Sequence, residues 1–463
     1  MSAPTVEREQ DQEQKRGQGG WPARDEAAEE AVLERVGRER VRLVDLQFSD
    51  IGGGAKAMTI PVELLRPVLG QGYRFDGAAL TGGLRRVELD LYLVPDPSTL
   101  AVFPADGGAP CRARLACSVR RRDGQPFAGD PRSVLERVLA EATAAGYDYR
   151  VAVELEFYLL RGDGDAPRPL DTGGYFDPGE DSIAGTRDEV VAALHAMGVG
   201  VGGAHHETGP GQEELDLWPD GALRMADQLM MVRRVIRSIA ARRGLRASFM
   251  PKPLTDAPGS GMHVFQRLAR VDDGGDALRG DGDDLSVVAR HAMAGQLAHA
   301  AAMCAVVCPT VNSYKRLAAG HRAPRHATWA RVSQASLIRV PSPAPSTEAA
   351  VELELRSPDA TANPYLALAV ALACALDGVR QGEEPPPPLD ETLVHYDDEE
   401  LARRGVPPLP ATLGDALAAL VEDDVVRAAL GDYVFDQLLL VKRAEWDDYR
   451  RYVSPWEHAR YGD

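Results

Sequence analysis

Residues 150–160, RVAVELEFYLL, constrain the fold most strongly because apolar and polar side chains alternate along them. This alternation is typical of a β-strand with one face in a core and the other toward a polar space. The first face carries Val151, Val153, Leu155 and Phe157, and the opposite face carries Ala152, Glu154, Glu156 and Tyr158. Carboxylates two positions apart on a strand lie about 7 Å from each other, which suits two neighbouring divalent cations. A half-exposed strand without a ligand has the same pattern, so both interpretations remain open.

Residues 351–378, VELELRSPDATANPYLALAVALACALDG, combine a second alternating segment with a helix. In the first part, Val351, Leu353 and Leu355 alternate with Glu352, Glu354 and Arg356. A carboxylate and a guanidinium on one face suit a site that holds a metal and a phosphoryl group, and a plain salt bridge gives the same pattern. Asn363 and Pro364 predict the start of a helix, which Gly378 can end.

Two further segments add oxygen and nitrogen ligands. Residues 203–218, GAHHETGPGQEELDLW, place Glu207 and Glu214 on either side of a Gly/Pro turn. In residues 250–268, MPKPLTDAPGSGMHVFQRL, His263 follows a Gly-Ser-Gly turn that lets the backbone approach a ligand closely. Carboxylates with one imidazole suit Mg²⁺ or Mn²⁺ better than Zn²⁺, although a lone histidine is more often structural. We expect two sheets to project these acid groups into one cavity.

The composition excludes several classes of protein. A chain of 463 residues that is 44% hydrophobic and 26% charged is not disordered throughout. Its net charge of -18 disfavours binding to nucleic acid or to anionic membranes. The longest apolar run, Tyr365 to Leu376, is shorter than the roughly 17 to 25 residues that span a bilayer and predicts a buried helix. The N-terminus has no apolar signal segment, so we expect a cytoplasmic protein. The five cysteines include no CxxC pair, which argues against a disulfide framework and a thiolate zinc site.

The distribution of patterns along the chain predicts an α+β protein with two domains. We expect a disordered tail at residues 1–27, a β-rich domain at 28–130 and a large α/β domain at 131–463. Strand-like segments at Arg40–Phe48 and Asp90–Thr99 support the β-rich domain.

Nine segments together resemble the glutamine synthetase family in their order and spacing. They are FDGAAL, DLYLVPDPST, VELEFYLL, HHETGPGQEELD, FMPKP with GSGMHVF, PTVNSYKRL with G..AP, IRVP, ELRSPDATANPYLA and KRAEWDDYRRYV, and they extend from about residue 30 to the C-terminus. The resemblance implies an N-terminal β-grasp domain, a large glutamine-synthetase-type catalytic domain, and a homo-oligomer of stacked rings, expected to be a dodecamer, with active sites between subunits. It also implies ATP, two or three Mg²⁺ or Mn²⁺ ions, and small-molecule carboxylate and amine substrates. In the family, the side-chain carboxylate of glutamate is phosphorylated and ammonia displaces the phosphate.

The same resemblance assigns roles to individual residues. One implied metal site consists of Glu156, Glu207 and Glu214, and the other consists of Glu154, His263 and Glu354. The implied catalytic residues are Asp76, contributed to the ammonium pocket of a neighbouring subunit, Arg316 at the substrate α-carboxylate, Arg322 in the flap, and Arg339 and Arg356 at the phosphate and carboxylate. The implied nucleotide contacts are Arg339, Arg356, Phe265 and Arg267.

Several positions depart from the family pattern. The family flap has a Glu that helps take a proton from ammonium, whereas this chain reads GHRAP, with His321 and Arg322. A cation there repels ammonium, since two unit charges 4 Å apart interact by about 4 kcal/mol at an effective dielectric constant near 20. The other departures are Phe265 and Arg267 for a His and a Ser, Ser333 and Gln334 for Asn and Arg, Pro258 for Asn or Asp, and Ala78 and Ala79 for serines.

These observations leave three hypotheses for the function. The first is an ATP-dependent ligase that joins a carboxylate, expected to be the γ-carboxyl of glutamate, to an amine other than ammonia. Arg322, Arg325, His321 and His326 could accept an amine that carries its own acidic group, and either histidine could act as the base. The second hypothesis is an ordinary glutamine synthetase that uses ammonia. The third is a non-catalytic regulatory member of the family.

Overall fold

The computed structural model describes most of the chain. The described residues are 21–80, 90–104, 110–162, 168–178, 181–281, 284–319, 322–342, 350–390 and 398–462. Residues 1–20 of the expected tail and His321 of the flap lie outside them. Helix α1 spans Glu26–Arg38, and the side chain of Asp25 caps it by accepting a hydrogen bond from the backbone N–H of Ala28 (3.0 Å).

The N-terminal domain is a mixed sheet with its own apolar core. Its strands are β1 (Leu43–Ser49), β2 (Ala55–Pro61), β3 (Tyr73–Asp76), β4 (Asp90–Pro95), β5 (Ala101–Val102) and β6 (Arg112–Arg120), and its second helix is α2 (Leu65–Gln71). The strand order is β2-β1-β6-β4-β3, with β5 against β6. The central pair, β1 and β6, is parallel, and the other neighbours are antiparallel. The strands predicted at Arg40–Phe48 and Asp90–Thr99 are confirmed as β1 and β4.

The second domain is built on one large sheet. Its strands are β7 (Tyr147–Arg161), β8 (Arg168–Pro169), β9 (Val201–His206), β10 (Gln212–Gly221), β11 (Arg246–Ser248), β12 (Met262–Arg270), β13 (Trp329–Ala330), β14 (Ile338–Arg339) and β15 (Leu353–Leu355). They are ordered β13-β14-β15-β12-β7-β10-β9, with β8 and β11 also paired to β7. Residues 150–160 lie in β7, so the strand that their alternation predicted is confirmed.

Helices make up the rest of the regular structure in the described part of this domain. In chain order they are α3 (Pro131–Ala144), α4 (Asp181–Ala196), α5 (Ala222–Arg242), α6 (Val287–Ala298), α7 (Ala300–Val307), α8 (Val311–Ala318), α9 (Pro364–Gln381), α10 (Asp398–Arg403), α11 (Leu413–Val421), α12 (Asp424–Leu430), α13 (Asp432–Tyr449) and α14 (Pro455–Tyr461). Val151, Val153 and Leu155 on β7 are at most 1% exposed and belong to the same core as α3 and α5. The opposite face of β7 is consequently free to carry polar groups.

Helix α9 is the buried helix that the apolar run predicted. Asn363 caps it by accepting a hydrogen bond from the backbone N–H of Tyr365 (3.1 Å), and Pro364 is its first residue. The predicted end at Gly378 is wrong, because the helix continues to Gln381 and ends at Gly382, whose φ of +70° favours glycine. Gly378 instead lies against the backbone of α6, where an added Cβ would collide with a carbonyl oxygen.

Buried polar contacts fix the two domains to each other. Arg132 on α3 bridges Asp96 of the N-terminal domain (2.7 Å) and Asp227 on α5 (3.0 Å). The side-chain amide of Asn363 donates to the backbone oxygen of Asp50 (2.9 Å). Among the described helices, none is both long enough and apolar enough to cross a bilayer.

Candidate active site

The polar face of β7 is the centre of the site. Across the sheet, Glu156 lies opposite Glu214 on β10, and Glu154 lies opposite His263 on β12. Glu354 is on β15, the strand that pairs with β12 on its other side. Strand register thus gathers residues from four distant segments of the chain.

The structure brings both predicted metal-ligand sets together. One ligand atom from each of Glu154, His263 and Glu354 lies within 4.8 Å of the others, and the same holds for Glu156, Glu207 and Glu214. The expectation that two sheets project these groups is wrong. Five of the six residues lie on strands of a single sheet, and Glu207 follows the end of β9. A single sheet suffices because β7 contributes a carboxylate to each group.

Local hydrogen bonds hold several of the carboxylates in place. The carboxylate of Glu156 accepts hydrogen bonds from the backbone N–H of Gly261 (2.9 Å) and from the side-chain amide of Gln212 (3.1 Å). The carboxylate of Glu207 accepts one from the Thr208 hydroxyl (2.7 Å). Nδ1 of His263 lies 3.2 Å from Glu154. These contacts pre-position ligand atoms before any cation arrives.

Burial changes the protonation equilibria of several of these groups. It raises the pKa of Glu154, although Arg356 and Arg339 oppose the shift, and it raises the pKa of Glu214, so a proton competes with a cation for both carboxylates. Burial and the nearby Arg356 lower the pKa of His263 to about 3, so its imidazole is neutral and able to ligate a metal. Five carboxylates and one neutral imidazole fit Mg²⁺ or Mn²⁺, the hard cations predicted from the sequence.

The structure also brings together a third group of possible metal ligands that was not predicted from the sequence. His205, Glu214 and Asp216 also place one ligand atom each within 4.8 Å of one another. The hydrogen bond to Glu214 raises the pKa of His205 to about 9, so this histidine carries a proton near neutral pH and is not a metal ligand in that state. The spacing of Glu214 and Asp216 on one strand face was the available signal, and it repeats that of Glu154 and Glu156.

Arg316 is the most firmly held of the predicted arginines. It is 4% exposed and donates to the backbone oxygens of Ser357 (2.8 Å), Pro358 (3.1 Å) and Arg356 (2.9 Å). The Gly-Ser-Gly turn makes room for it, because a Cβ on Gly261 would lie 2.5 Å from its Nη2 and 2.7 Å from Nε2 of His263. The turn was predicted to approach a ligand closely, and in the structure it lies close to the side chains of Arg316 and His263.

Arg339 and Arg356 both contact the carboxylate of Glu354. Glu354 is fully buried, and Arg356 also donates to the backbone oxygen of Gln334 (2.8 Å). These two guanidiniums therefore lie directly beside the first ligand group.

A cavity of about 660 Å³ contains most of these groups. Its lining includes Glu154, Glu156, Glu207, Glu214, His263, Arg316, Arg322, Arg339 and Arg356, together with Tyr175, Thr208, Lys252 and Gln334. The cavity is large enough for a nucleotide phosphate chain and small substrates.

Other predicted residues lie outside this lining. Asp76 is exposed at the end of β3 in the N-terminal domain, opposite Asp90. Phe265 is 7% exposed on β12, and Arg267 forms an ion pair with Glu352 (2.7 Å from Nε). Arg325 is exposed, and His326 is buried and bridged to Pro408, so neither is brought into the cavity.

Comparison with known proteins identifies the family of this chain. Residues 40–122 match the family model "Glutamine synthetase, beta-Grasp domain", and residues 128–461 match "Glutamine synthetase, catalytic domain". The chain belongs to the glutamine synthetase family. The fold predicted from the sequence is thereby confirmed, and the chain is an ATP-dependent ligase of this family that forms a C–N amide bond.

The relatives of the chain include named enzymes and solved structures. Glutamine synthetase of Halobacterium salinarum is 40% identical over 444 residues, which cover 94% of this chain and 96% of the relative. Glutamine synthetase of Mycobacterium tuberculosis is 40% identical over 438 residues, which cover 93% and 98%. A solved GmaS/ADP complex is 31% identical, with a TM-score of 0.83, and the match covers 93% of this chain and 99% of the other.

Proposed function

We propose that this ligase joins the γ-carboxyl of glutamate to an amine other than ammonia, using ATP and Mg²⁺ or Mn²⁺. The observation that supports the proposal most directly is the placement of Arg322 in the cavity, 3.9 Å from the carboxylate of Glu207. A fixed positive charge at this position opposes the binding of ammonium. Both groups of metal-ligand residues remain intact, which supports phosphoryl transfer, and the departure at Arg322 changes the amine pocket.

In this proposal, the chain's own residues position the reactants. The group of Glu154, His263 and Glu354 and the group of Glu156, Glu207 and Glu214 each hold a divalent cation, which offsets negative charge on the transferred phosphoryl group. Arg339 and Arg356 contribute positive charge beside the same space. Arg316, fixed by three backbone carbonyls, is oriented for the α-carboxylate of the substrate.

The proposed reaction has two steps. A carboxylate oxygen of glutamate attacks the γ-phosphorus of ATP, and the bond to ADP breaks. The amine nitrogen then attacks the acyl carbon, a C–N bond forms, the C–O bond to phosphate breaks, and the nitrogen loses a proton. By resemblance, we also propose a homo-oligomer in which a neighbouring subunit supplies Asp76.

The test is an assay of phosphate release with glutamate, ATP and Mg²⁺ over a panel of primary amines, with product masses measured. We expect turnover that depends on both glutamate and one class of amine. The matched control is Glu156→Gln, which removes one ligand carboxylate with little change in side-chain size and should abolish turnover. If no amine other than ammonia supports turnover, the proposal is wrong.

Ordinary glutamine synthetase activity is the second candidate. It is favoured by the names of the 40% identical relatives and by the presence of Arg316 in the cavity. Formation of glutamine from glutamate, ATP and ammonium as the preferred reaction would establish it. The third hypothesis, a non-catalytic regulatory member, is not retained, since the comparisons identify a ligase.

A further inference from the structure

The guanidinium of Arg322 is positioned at the mouth of the cavity with donors available. Nη1 donates to the hydroxyl of Thr208 (3.1 Å), and the guanidinium carbon lies 5.7 Å from the ring centre of Tyr175. The side chain is 56% exposed. Within the described part of the chain, its other nitrogens make no hydrogen bond to protein, so one edge of the guanidinium can receive a ligand.

The other arginines of the cavity differ from Arg322 in this respect. Arg316 is committed to three backbone carbonyls, and Arg339 and Arg356 are committed to Glu354. The carboxylate of Glu207 lies 3.9 Å from Nη1 of Arg322. If Glu207 ligates a divalent cation, its charge is taken up by that ion, and the charge of Arg322 is left without a protein partner.

Two aromatic rings, those of Tyr175 and Phe176, form an apolar surface next to the guanidinium of Arg322. Tyr175 and Phe176 are 50% and 63% exposed, and their ring centres lie 4.2 Å apart. The ring of Phe176 lies 4.6 Å from that of His205. These rings offer an apolar surface to the carbon chain of a bound molecule, with Arg322 beside Tyr175 and His205 beside both rings.

We infer that the amine substrate carries an anionic group, such as a carboxylate, that binds to the open edge of Arg322. A planar guanidinium binds a carboxylate through two parallel hydrogen bonds, which gives both orientation and selectivity. Amines with a second positive charge are disfavoured by the same residue. This inference rests on the proposed function.

The experiment compares amines that differ in one group. Glycine, β-alanine and 4-aminobutanoate are paired with ethylamine, propylamine and butylamine, which have the same number of carbons without the carboxylate. 1,3-Diaminopropane tests a second positive charge. We measure kcat and KM for each amine with the wild type, Arg322→Gln and Arg322→Glu. Binding of the best amine in the presence of ADP and Mg²⁺ is measured by calorimetry, as a readout independent of turnover.

We expect the wild type to prefer at least one carboxylate amine over its alkylamine partner by about tenfold to a hundredfold in kcat/KM, as a charge-assisted hydrogen bond predicts. In Arg322→Gln the preference should disappear, mainly through a higher KM. In Arg322→Glu it should reverse toward 1,3-diaminopropane. Arg331→Gln is the control, because Arg331 is an exposed arginine outside the cavity lining and should leave the preference unchanged.

The results distinguish this inference from the proposed function. Turnover with alkylamines or diamines at least equal to that with carboxylate amines would overturn the inference and leave the proposed function standing. A preference for carboxylate amines that survives in Arg322→Gln would overturn the role of Arg322. Turnover with ammonia alone, or with no amine, would overturn both proposals.

Discussion

Gly261 connects the geometry of the turn to the metal ligands, and its substitution by alanine gives a sharp prediction. The added Cβ would lie 2.5 Å from Nη2 of Arg316 and 2.7 Å from Nε2 of His263. Both neighbours are buried, and Arg316 is fixed by backbone carbonyls, so neither can move without disturbing the site. The backbone of Gly261 also bonds to Glu156 in both directions, at 2.9 Å and 3.1 Å.

The magnitude follows from these contacts. Overpacking in a well-packed site costs about 1 to 3 kcal/mol of unfolding free energy. Displacement of groups that support metal ligands lowers metal affinity by about 10- to 100-fold, which corresponds to about 1.4 to 2.8 kcal/mol of binding free energy. We therefore expect Gly261→Ala to fold, with stability lower by about 1 to 3 kcal/mol and Mn²⁺ affinity lower by about 10- to 100-fold.

The assay combines Mn²⁺ titration with denaturant unfolding. The matched control is Gly221→Ala, because a Cβ on Gly221 meets open space and its φ of -57° suits alanine. The control should keep the stability and Mn²⁺ affinity of the wild type. Unchanged Mn²⁺ affinity in Gly261→Ala would refute the reasoning, since it would mean that the turn does not constrain the ligands.

Two further predictions concern stability. The hydrogen bond from His299 to Asp423 (2.7 Å), aided by Asp377, raises the pKa of this histidine above 6.5. Its stabilising contribution is therefore complete below about pH 6.5 and is lost as the pH rises through the folded-state pKa, so urea unfolding at several pH values should show the largest difference between wild type and His299→Gln at low pH. Arg132→Met leaves the buried carboxylate of Asp227 without its cation and should cost about 3 to 5 kcal/mol of unfolding free energy, measured by chemical denaturation. The control for the His299 prediction is His195→Gln, at an exposed histidine on α4. A difference in stability between wild type and His299→Gln that does not change with pH would contradict that prediction. A loss below about 1 kcal/mol for Arg132→Met would contradict the second.

The alternation along β7 was sufficient to predict a strand with two inward carboxylates, because side-chain direction in a strand depends only on position. Which strands lie beside β7 depends on long-range pairing, which alternation does not encode. Strand register places Glu156 opposite Glu214 and Glu154 opposite His263. The assignment of these residues to two metal-ligand groups came from the resemblance to a known family.

Other features depend on close packing that a single sequence does not reveal. Gly378 has the residue type of a helix end, and it is required inside α9 because another helix passes against it. The glycines around Ser260 suggested a ligand, and their actual neighbours are Arg316 and His263. Phe265 and Arg267 follow His263 along β12 but lie outside the cavity lining, so their assignment to the nucleotide remains a prediction.

The most direct test of the account is a titration of the wild-type chain with Mn²⁺ in the presence of ADP, compared with Glu154→Gln and Glu156→Gln. Each variant removes one carboxylate from a different group of ligands. The account predicts that the wild type binds at least two ions per chain and that each variant loses a different one, with the other retained. Absence of Mn²⁺ binding by the wild type, or binding that neither variant changes, would contradict it.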